Sequence, residues 1–248
     1  MPKKTVLITG ATGYIGRRLK RRLLESGSCN LRLMVRNKRK VSVAIADQVE
    51  IAEGSTFDKE LLANAVEGVD TVYYLIHSMG SQHDYSDLDR ESAENFRKAC
   101  IAAGVRRVIY LGGLGVKESA SKHLMSRIET GEVLSEEPDK LQVIWLRAGV
   151  IIGSGSASYE IIRNLVQKLP VMITPRWVRT KTQPIGIRDV LSYLEASIEL
   201  EYDKNLIVDI GAEELSFQEM MHKASAVMKL RRFLFPVPLL SPRLSSYW

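Results

Sequence analysis

From its first residues the chain alternates short apolar runs with longer amphipathic ones. Residues 5–9 and 31–35 are mostly β-branched or aliphatic, and between them Ile15, Leu19 and Leu23 recur every four positions. The short runs predict buried strands, and the four-residue spacing predicts a helix reaching about Ser26. The alternation continues with a strand at 49–52, a helix at 59–66, a strand at 71–76, a long polar helix through 103, and strands at 108–111 and 141–146. Gly27, Gly68 and Gly104 follow the helical stretches, where a left-handed residue closes a helix. Strands joined by helices require right-handed crossovers. The expected fold class is therefore α/β, a doubly wound parallel sheet with its ligand crevice at the carboxyl ends of the strands.

After Gly149 the pattern changes. The loop GSGSAS leads into an amphipathic helix over 159–168 and a Pro-interrupted stretch, PVMITPRW. A helix over 189–200 with Asp189 as its N-cap, a strand over 206–210 and a helix over 216–228 follow. The expected organisation is a core over 1–150, a small substrate-side lobe over 151–232 interleaved with it, and a Pro-containing arm or linker over 233–248. The arm is apolar, Pro-broken and basic. It reads first as a packed arm or a linker to a further domain, and after these as a membrane-surface segment.

At 248 residues the chain can bury a sizeable core as one large α/β domain with a lobe. Hydrophobic residues at 45% and charged residues at 26% describe a globular chain rather than a disordered one. No run approaches the ~20 apolar residues of a spanning helix, so no membrane span is expected. The apolar run at 5–9 is too short for a signal-peptide core, which predicts a cytoplasmic location. Cys29 and Cys100 stand alone, without metal-ligand spacing or a disulfide framework, so no metal is expected. The net charge is +6. Basic residues gather at Arg17, Arg18, Lys20, Arg21 and Arg22, and again at Arg36, Lys38, Arg39 and Lys40; these read either as solvated faces or as polyanion-facing ones. No stacking motif or recognition-helix signature accompanies them, so nucleic acid is not an expected partner.

The strongest chemical signal is TGATGYIG, between the first strand and its helix. Gly10 suits the tight turn, Gly13 lets backbone amides approach a pyrophosphate, and Gly16 lets helix and strand pack closely. Thr12, Tyr14 and Ile15 complete the loop, and the helix start offers unpaired N–H groups to an anion. About 20 residues on, where an acidic side chain would grip the ribose 2′-hydroxyl of NAD, the chain has Arg36, Asn37 and Lys38. A guanidinium there favours a 2′-phosphate, hence NADP(H), with NAD(H) also admitted; an ordinary exposed basic loop is the alternative.

The GxxGxxG spacing resembles the short-chain dehydrogenase/reductase superfamily. The segments YYLIHSMG, YLGGLG, HLMSRIETGEVL, LRAGVIIGSGSASYEIIRNLVQKLPVM, TPRWV, QPIGIRDVL and VDIGAEELSFQEMM extend the resemblance, over essentially the whole chain, to its NmrA-like atypical members with a Rossmann fold. The resemblance implies that Ser55 lies near the adenine, that Ile76, His77 and Ser78 line the ribose, and that Leu111 and Gly112 lie near the nicotinamide. It also implies a further domain of START/polyketide-cyclase type. The superfamily's catalytic Tyr and Lys, four residues apart, correspond to His123 and Arg127, and its Ser or Thr comes from the loop after the fifth strand. An imidazole can pass a proton near neutrality, whereas a guanidinium can steady an anion but cannot act as a base. Tyr159, Arg163 and Trp177 in the lobe offer aromatic and guanidinium contacts to a small-molecule substrate, although core packing explains the aromatics as well. Two functions follow from this reading: an oxidoreductase acting on a small carbonyl or quinone, and a non-catalytic NADP(H)-responsive module read by a regulatory protein partner. The changed Tyr/Lys pair keeps both open.

Overall fold

The computed structural model describes residues 3–77 and 85–236. In chain order the elements begin with strand β1 (Thr5–Thr9), helix α1 (Tyr14–Ser26), strand β2 (Asn30–Val35), the one-turn helix α2 (Val43–Ala46) and strand β3 (Glu50–Glu53). Helix α3 (Lys59–Val66), strand β4 (Thr71–Tyr74), helix α4 (Tyr85–Ala102), strand β5 (Arg107–Gly113), helix α5 (Lys122–Leu134) and strand β6 (Gln142–Ala148) follow. Then come β7 (Ile151–Ile152), α6 (Ala157–Lys168), β8 (Val171–Thr174), β9 (Lys181–Thr182), β10 (Ile185–Gly186) and α7 (Ile187–Ala196). The last are β11 (Leu206–Ile210), β12 (Leu215–Ser216), α8 (Phe217–Val227) and β13 (Phe233–Pro236).

The chain divides into two compact units, 1–147 with 191–209, and 148–190 with 210–248. The first holds a seven-stranded parallel sheet in the order β11-β6-β5-β4-β1-β2-β3. The order runs outward in both directions from β1 and β4, as in a doubly wound Rossmann sheet, and it reverses between those two strands. Parallel strands covered on both faces must be apolar throughout. Val6, Leu7, Ile8, Val72, Tyr73, Val108 and Ile109 are accordingly all buried. Thr9 ties the carboxyl ends of the central strands together: its hydroxyl donates to the Tyr73 carbonyl at 2.9 Å and accepts from the Leu75 amide at 3.1 Å.

Helix α1 buries Leu19 and Leu23 of the stripe its spacing predicts, with Ile15 half-buried and Gly16 buried beside it, and ends where Gly27 adopts φ +59° and donates to the Leu23 carbonyl. Arg107 has the largest fully buried side chain. Its guanidinium donates to Gln142 Oε1 and to the carbonyls of Ser197, Ile198, Leu200 and Tyr202 at 2.6–3.0 Å, pinning the segment before β11 to β5 and β6.

In the second unit Ile162, Val166, Met172, Val178, Met220 and Met221 form the core. Two points depart from the sequence reading here. Asp189 is not an N-cap: α7 starts two residues earlier, so Asp189 sits in its first turn, and the helix ends at Ala196 rather than near 200. Phe233–Pro236, expected in an arm or linker, is a strand paired parallel with β8, Phe233 opposite Val171 and Phe235 opposite Ile173.

Candidate functional site

The glycine loop occupies the turn from β1 into α1, at the point where the sheet order reverses. Gly10 has φ +64°, and a β-carbon there would lie 2.5 Å from the Leu75 carbonyl oxygen; one on Gly16 would drive into the Gly10 carbonyl and sit 2.9 Å from Ala11 Cα. Only glycine satisfies both positions. Gly13 caps α1 without a side-chain hydrogen bond, and the first turn carries no acidic residue. The opening amides of α1 are therefore left for an anion, with the positive end of the helix dipole behind them. This cradle fits the pyrophosphate of a dinucleotide. Thr12 is exposed, and Tyr14 and Ile15 are half-buried. The Arg18 guanidinium lies 4.0 Å from the centre of the Tyr14 ring.

At the end of β2, Arg36 is exposed, and among the described residues its side chain has no hydrogen bond or ion pair. Asn37 shapes the following turn by accepting from the Arg39 amide at 2.9 Å. Glu53, at the end of β3, accepts from the Lys38 amide at 3.2 Å. The sequence reading passed over this carboxylate. Glu53 also pairs with the Lys38 ammonium at 4.0 Å, whereas Arg36, Arg39 and Lys40 form no ion pair among the described residues. Ser55 is half-buried; its hydroxyl accepts from the Phe57 amide at 3.4 Å and its carbonyl accepts from the Asp58 amide at 3.1 Å, so it shapes the loop into α3.

Beyond β4, Ile76 is half-buried and His77 follows it, while Ser78 lies outside the described residues. His77 keeps much of its surface accessible, yet surrounding protein atoms hold it below the usual histidine range. The positive charge of Arg127 lowers it further, buried Asp89 opposes the shift, and His123 adds to it. These four groups therefore share one electrostatic environment. His123 and Arg127 lie one turn apart at the start of α5, which Ser121 caps by accepting from the Leu124 amide. His123 is exposed and Arg127 half-buried, the latter lying over Gly113 at the end of β5. Leu111 is half-buried and Gly112 buried. The phenol of Tyr110, on the same strand, is engaged with the helix: its hydroxyl donates to the Arg127 carbonyl at 2.8 Å, and burial raises its pKa.

Asp89 is the member of this cluster that sequence reasoning missed. It is buried in α4 and accepts from the Ser126 hydroxyl at 2.7 Å. A signal was present, because Ala93, Phe96 and Cys100 form the buried stripe of α4 and Asp89 extends that stripe back by one turn.

In the second unit Tyr159 and Arg163 occupy successive turns of α6, both half-buried. Arg163 pairs with Glu160 at 2.6 Å, while its buried Nε has no hydrogen-bond partner among the described residues. The side chain of Trp177 lies outside the described residues. Among the described residues no helix is long and apolar enough to cross a membrane.

Known proteins agree with this geometry. Over 122 residues the chain is 30% identical to a (4-alkanoyl-5-oxo-2,5-dihydrofuran-3-yl)methyl phosphate reductase of Streptomyces griseus; the match covers 49% of this chain and only 39% of that protein. A nucleoside-diphosphate-sugar epimerase of Staphylococcus aureus superposes with a TM-score of 0.80 at 18% identity, over 98% of this chain and 83% of the epimerase. A short-chain dehydrogenase/reductase superfamily protein of Agrobacterium tumefaciens with bound NAD gives a TM-score of 0.74 at 17% identity, over 94% of this chain and 86% of its own. At these identities the two structures show a shared Rossmann-type α/β fold. Residues 10–143 match the NAD(P)H-binding family, from the glycine loop to the start of β6, and the chain belongs to that family.

Proposed function

We propose that this chain is an NADP(H)-dependent oxidoreductase acting on a small carbonyl or quinone-type substrate. The observation that carries the proposal is the shared environment of His77, His123 and Arg127 at the carboxyl ends of β4 and β5, in the same unit as the glycine cradle. The opening amides of α1, in the turn that holds Thr12, Gly13, Tyr14 and Ile15, hold the pyrophosphate. Arg36 and Asn37 take the 2′-phosphate; Ser55 borders the adenine; Ile76, His77 and Ser78 border the ribose. The nicotinamide supplies the hydride when bound. Leu111 and Gly112 form the wall against it. His123 delivers a proton to the substrate oxygen, and Arg127 stabilises the negative charge that develops there. The similarity to the Streptomyces reductase supports a general oxidoreductase role.

A second reading has its own observation. Gly112 and Gly113 stand in the strand end near which the superfamily provides a hydroxyl, and a β-carbon on Gly113 would meet Leu124 Cδ1 at 2.6 Å. A strand end without that hydroxyl, followed by a helix with His123 and Arg127 in place of the Tyr/Lys pair, suits an NADP(H)-responsive module read by a protein partner.

Calorimetry with NADPH and NADH tests the cofactor assignment. NADPH is expected to bind at least about tenfold more tightly, the worth of one charge-assisted contact, and Arg36→Ala to erase that preference. Equal affinities would remove Arg36 from the site. NADPH oxidation is then followed against carbonyl and quinone acceptors, including the compound in the Streptomyces relative's name, with His123→Ala and Arg127→Ala as controls. Tight binding without turnover on any acceptor would favour the second reading.

A further inference from the structure

One surface of the second unit has no role in this chemistry. β8 and β13 form a two-stranded parallel pair whose inner side chains, Met172 and Leu234, join the unit's core. Strand alternation turns the others outward: Val171, Ile173, Phe233 and Phe235 are 53%, 65%, 60% and 55% exposed. The register places Val171 beside Phe233 and Ile173 beside Phe235, so the four form one contiguous apolar patch. Leu169, 42% exposed, precedes it. Grouped exposure of this kind marks an interaction surface, whereas isolated exposed apolar residues do not.

The two chain segments that carry the patch are basic. The sequence contains no Asp or Glu between Glu160 and Asp189, and none after Glu219. The same stretches carry Lys168, Lys229 and Arg231, all exposed. Arg231 lies two residues before the first strand residue, Phe233. Arg232 instead turns back, its guanidinium donating to the carbonyls of Val166 and Gln167 at the end of α6, which fixes the strand in place.

We infer that this face docks on an anionic lipid surface, with Val171, Ile173, Phe233 and Phe235 entering the interface and Lys168, Lys229 and Arg231 meeting the headgroups. Apolar insertion and basic attraction are the two signals that together hold a peripheral protein on a bilayer. A second copy of the chain fits less well, because two such faces would bring like charges together. The patch side chains also lack any hydrogen-bonding group with which a protein partner could be specified, and a lipid interface needs none.

Co-sedimentation of the full chain with vesicles tests the inference, using pure phosphatidylcholine against an equimolar mixture with phosphatidylglycerol. Binding is expected only with the anionic vesicles, falling as salt rises. Arg231→Gln should lower the partition by about fivefold, and Phe233→Ser with Phe235→Ser should abolish it. Ile207→Ser, a control at an exposed apolar residue of the first unit, should leave it unchanged. Unchanged melting and NADPH binding would show that the Phe variants still fold. Equal binding to neutral vesicles, no binding to either, or binding indifferent to the Phe substitutions would overturn the inference. So would a dimer in light scattering that dissociates in the Phe double variant, since a second copy would then occupy the face.

Discussion

The Tyr110 hydroxyl on β5 donates to the backbone carbonyl of Arg127 on α5 at 2.8 Å. This bond anchors the helix that carries His123 and Arg127 to the strand end beside it. It also occupies the phenol of β5, in keeping with the proposal of His123 as the proton donor. Tyr110→Phe removes the bond and keeps the ring, which packs against Tyr74 and Trp145. The expected loss is about 1 kcal/mol, or ~2–4 °C in melting temperature for a chain of this size. The pH profile of any NADPH oxidation should keep its midpoint, whereas a shifted midpoint would return Tyr110 to the list of proton donors.

The sheet and the cofactor cradle were legible in the sequence because each has a local signature. Buried parallel strands are continuous apolar runs, and the cradle's glycines are dictated by contacts within a few residues and one neighbouring strand. Boundaries shifted slightly: the strand expected over 49–52 is Glu50–Glu53, and that over 71–76 stops at Tyr74. The second unit was read less well. Its two-residue strands β7, β9, β10 and β12 have no periodicity to detect, and β13 pairs with a strand about 60 residues earlier across prolines that resemble breakers. Asp89 was hidden for a different reason. A single carboxylate on a polar helix looks solvated until the helix phase is compared with its buried stripe.

The depressed pKa of His77 makes a prediction about pH. Folding holds the imidazole neutral below its ordinary value of 6.5, first through the surrounding protein atoms and then through the Arg127 charge, with His123 adding and Asp89 opposing. As pH falls through 6.5 the unfolded chain binds a proton that the folded chain does not. Stability contributed by the neutral form is therefore present above the unfolded value and is lost as pH falls toward the folded one. His77→Asn should flatten the fall in melting temperature between pH 7 and the depressed midpoint. Arg127→Met should raise the His77 midpoint measured by NMR titration. A midpoint that stays put would remove Arg127 as a neighbour of His77.

The cradle predicts an asymmetry among its glycines. Gly16→Ala would force a methyl into the Gly10 carbonyl, while Gly13→Ala would meet that same oxygen at 3.2 Å, a contact the loop can relieve by a few tenths of an ångström. Gly16→Ala is expected to cost about 1–3 kcal/mol of stability and to weaken NADPH binding by tenfold or more, since the first turn of α1 must move off the strand. Gly13→Ala should fold nearly as well and lose affinity by crowding the phosphates. Calorimetry together with thermal melts separates these outcomes, and equal melting losses for the two variants would contradict the packing assigned to Gly16.

The glycine at the end of β5 gives the last test. A side chain on Gly112 would run into the Trp145 indole, whose buried Nε1 has no hydrogen-bond partner among the described residues; the indole is also pressed against Gly131, where a β-carbon would lie 2.5 Å from its ring. The indole thus fills the space that a Ser in β5 would need. Gly112→Ser should therefore cost about 1–3 kcal/mol and confer no turnover. Trp145→Leu alone should also destabilise, by leaving a cavity between β6 and α5. Because the serine would occupy part of that cavity, the double variant should lose about 0.5–3 kcal/mol less than the sum of the single changes, as read from melts in a double-mutant cycle. Strict additivity would mean that Gly112 and Trp145 do not compete for the same space, and the absence of a hydroxyl at this strand end would then need a cause other than packing.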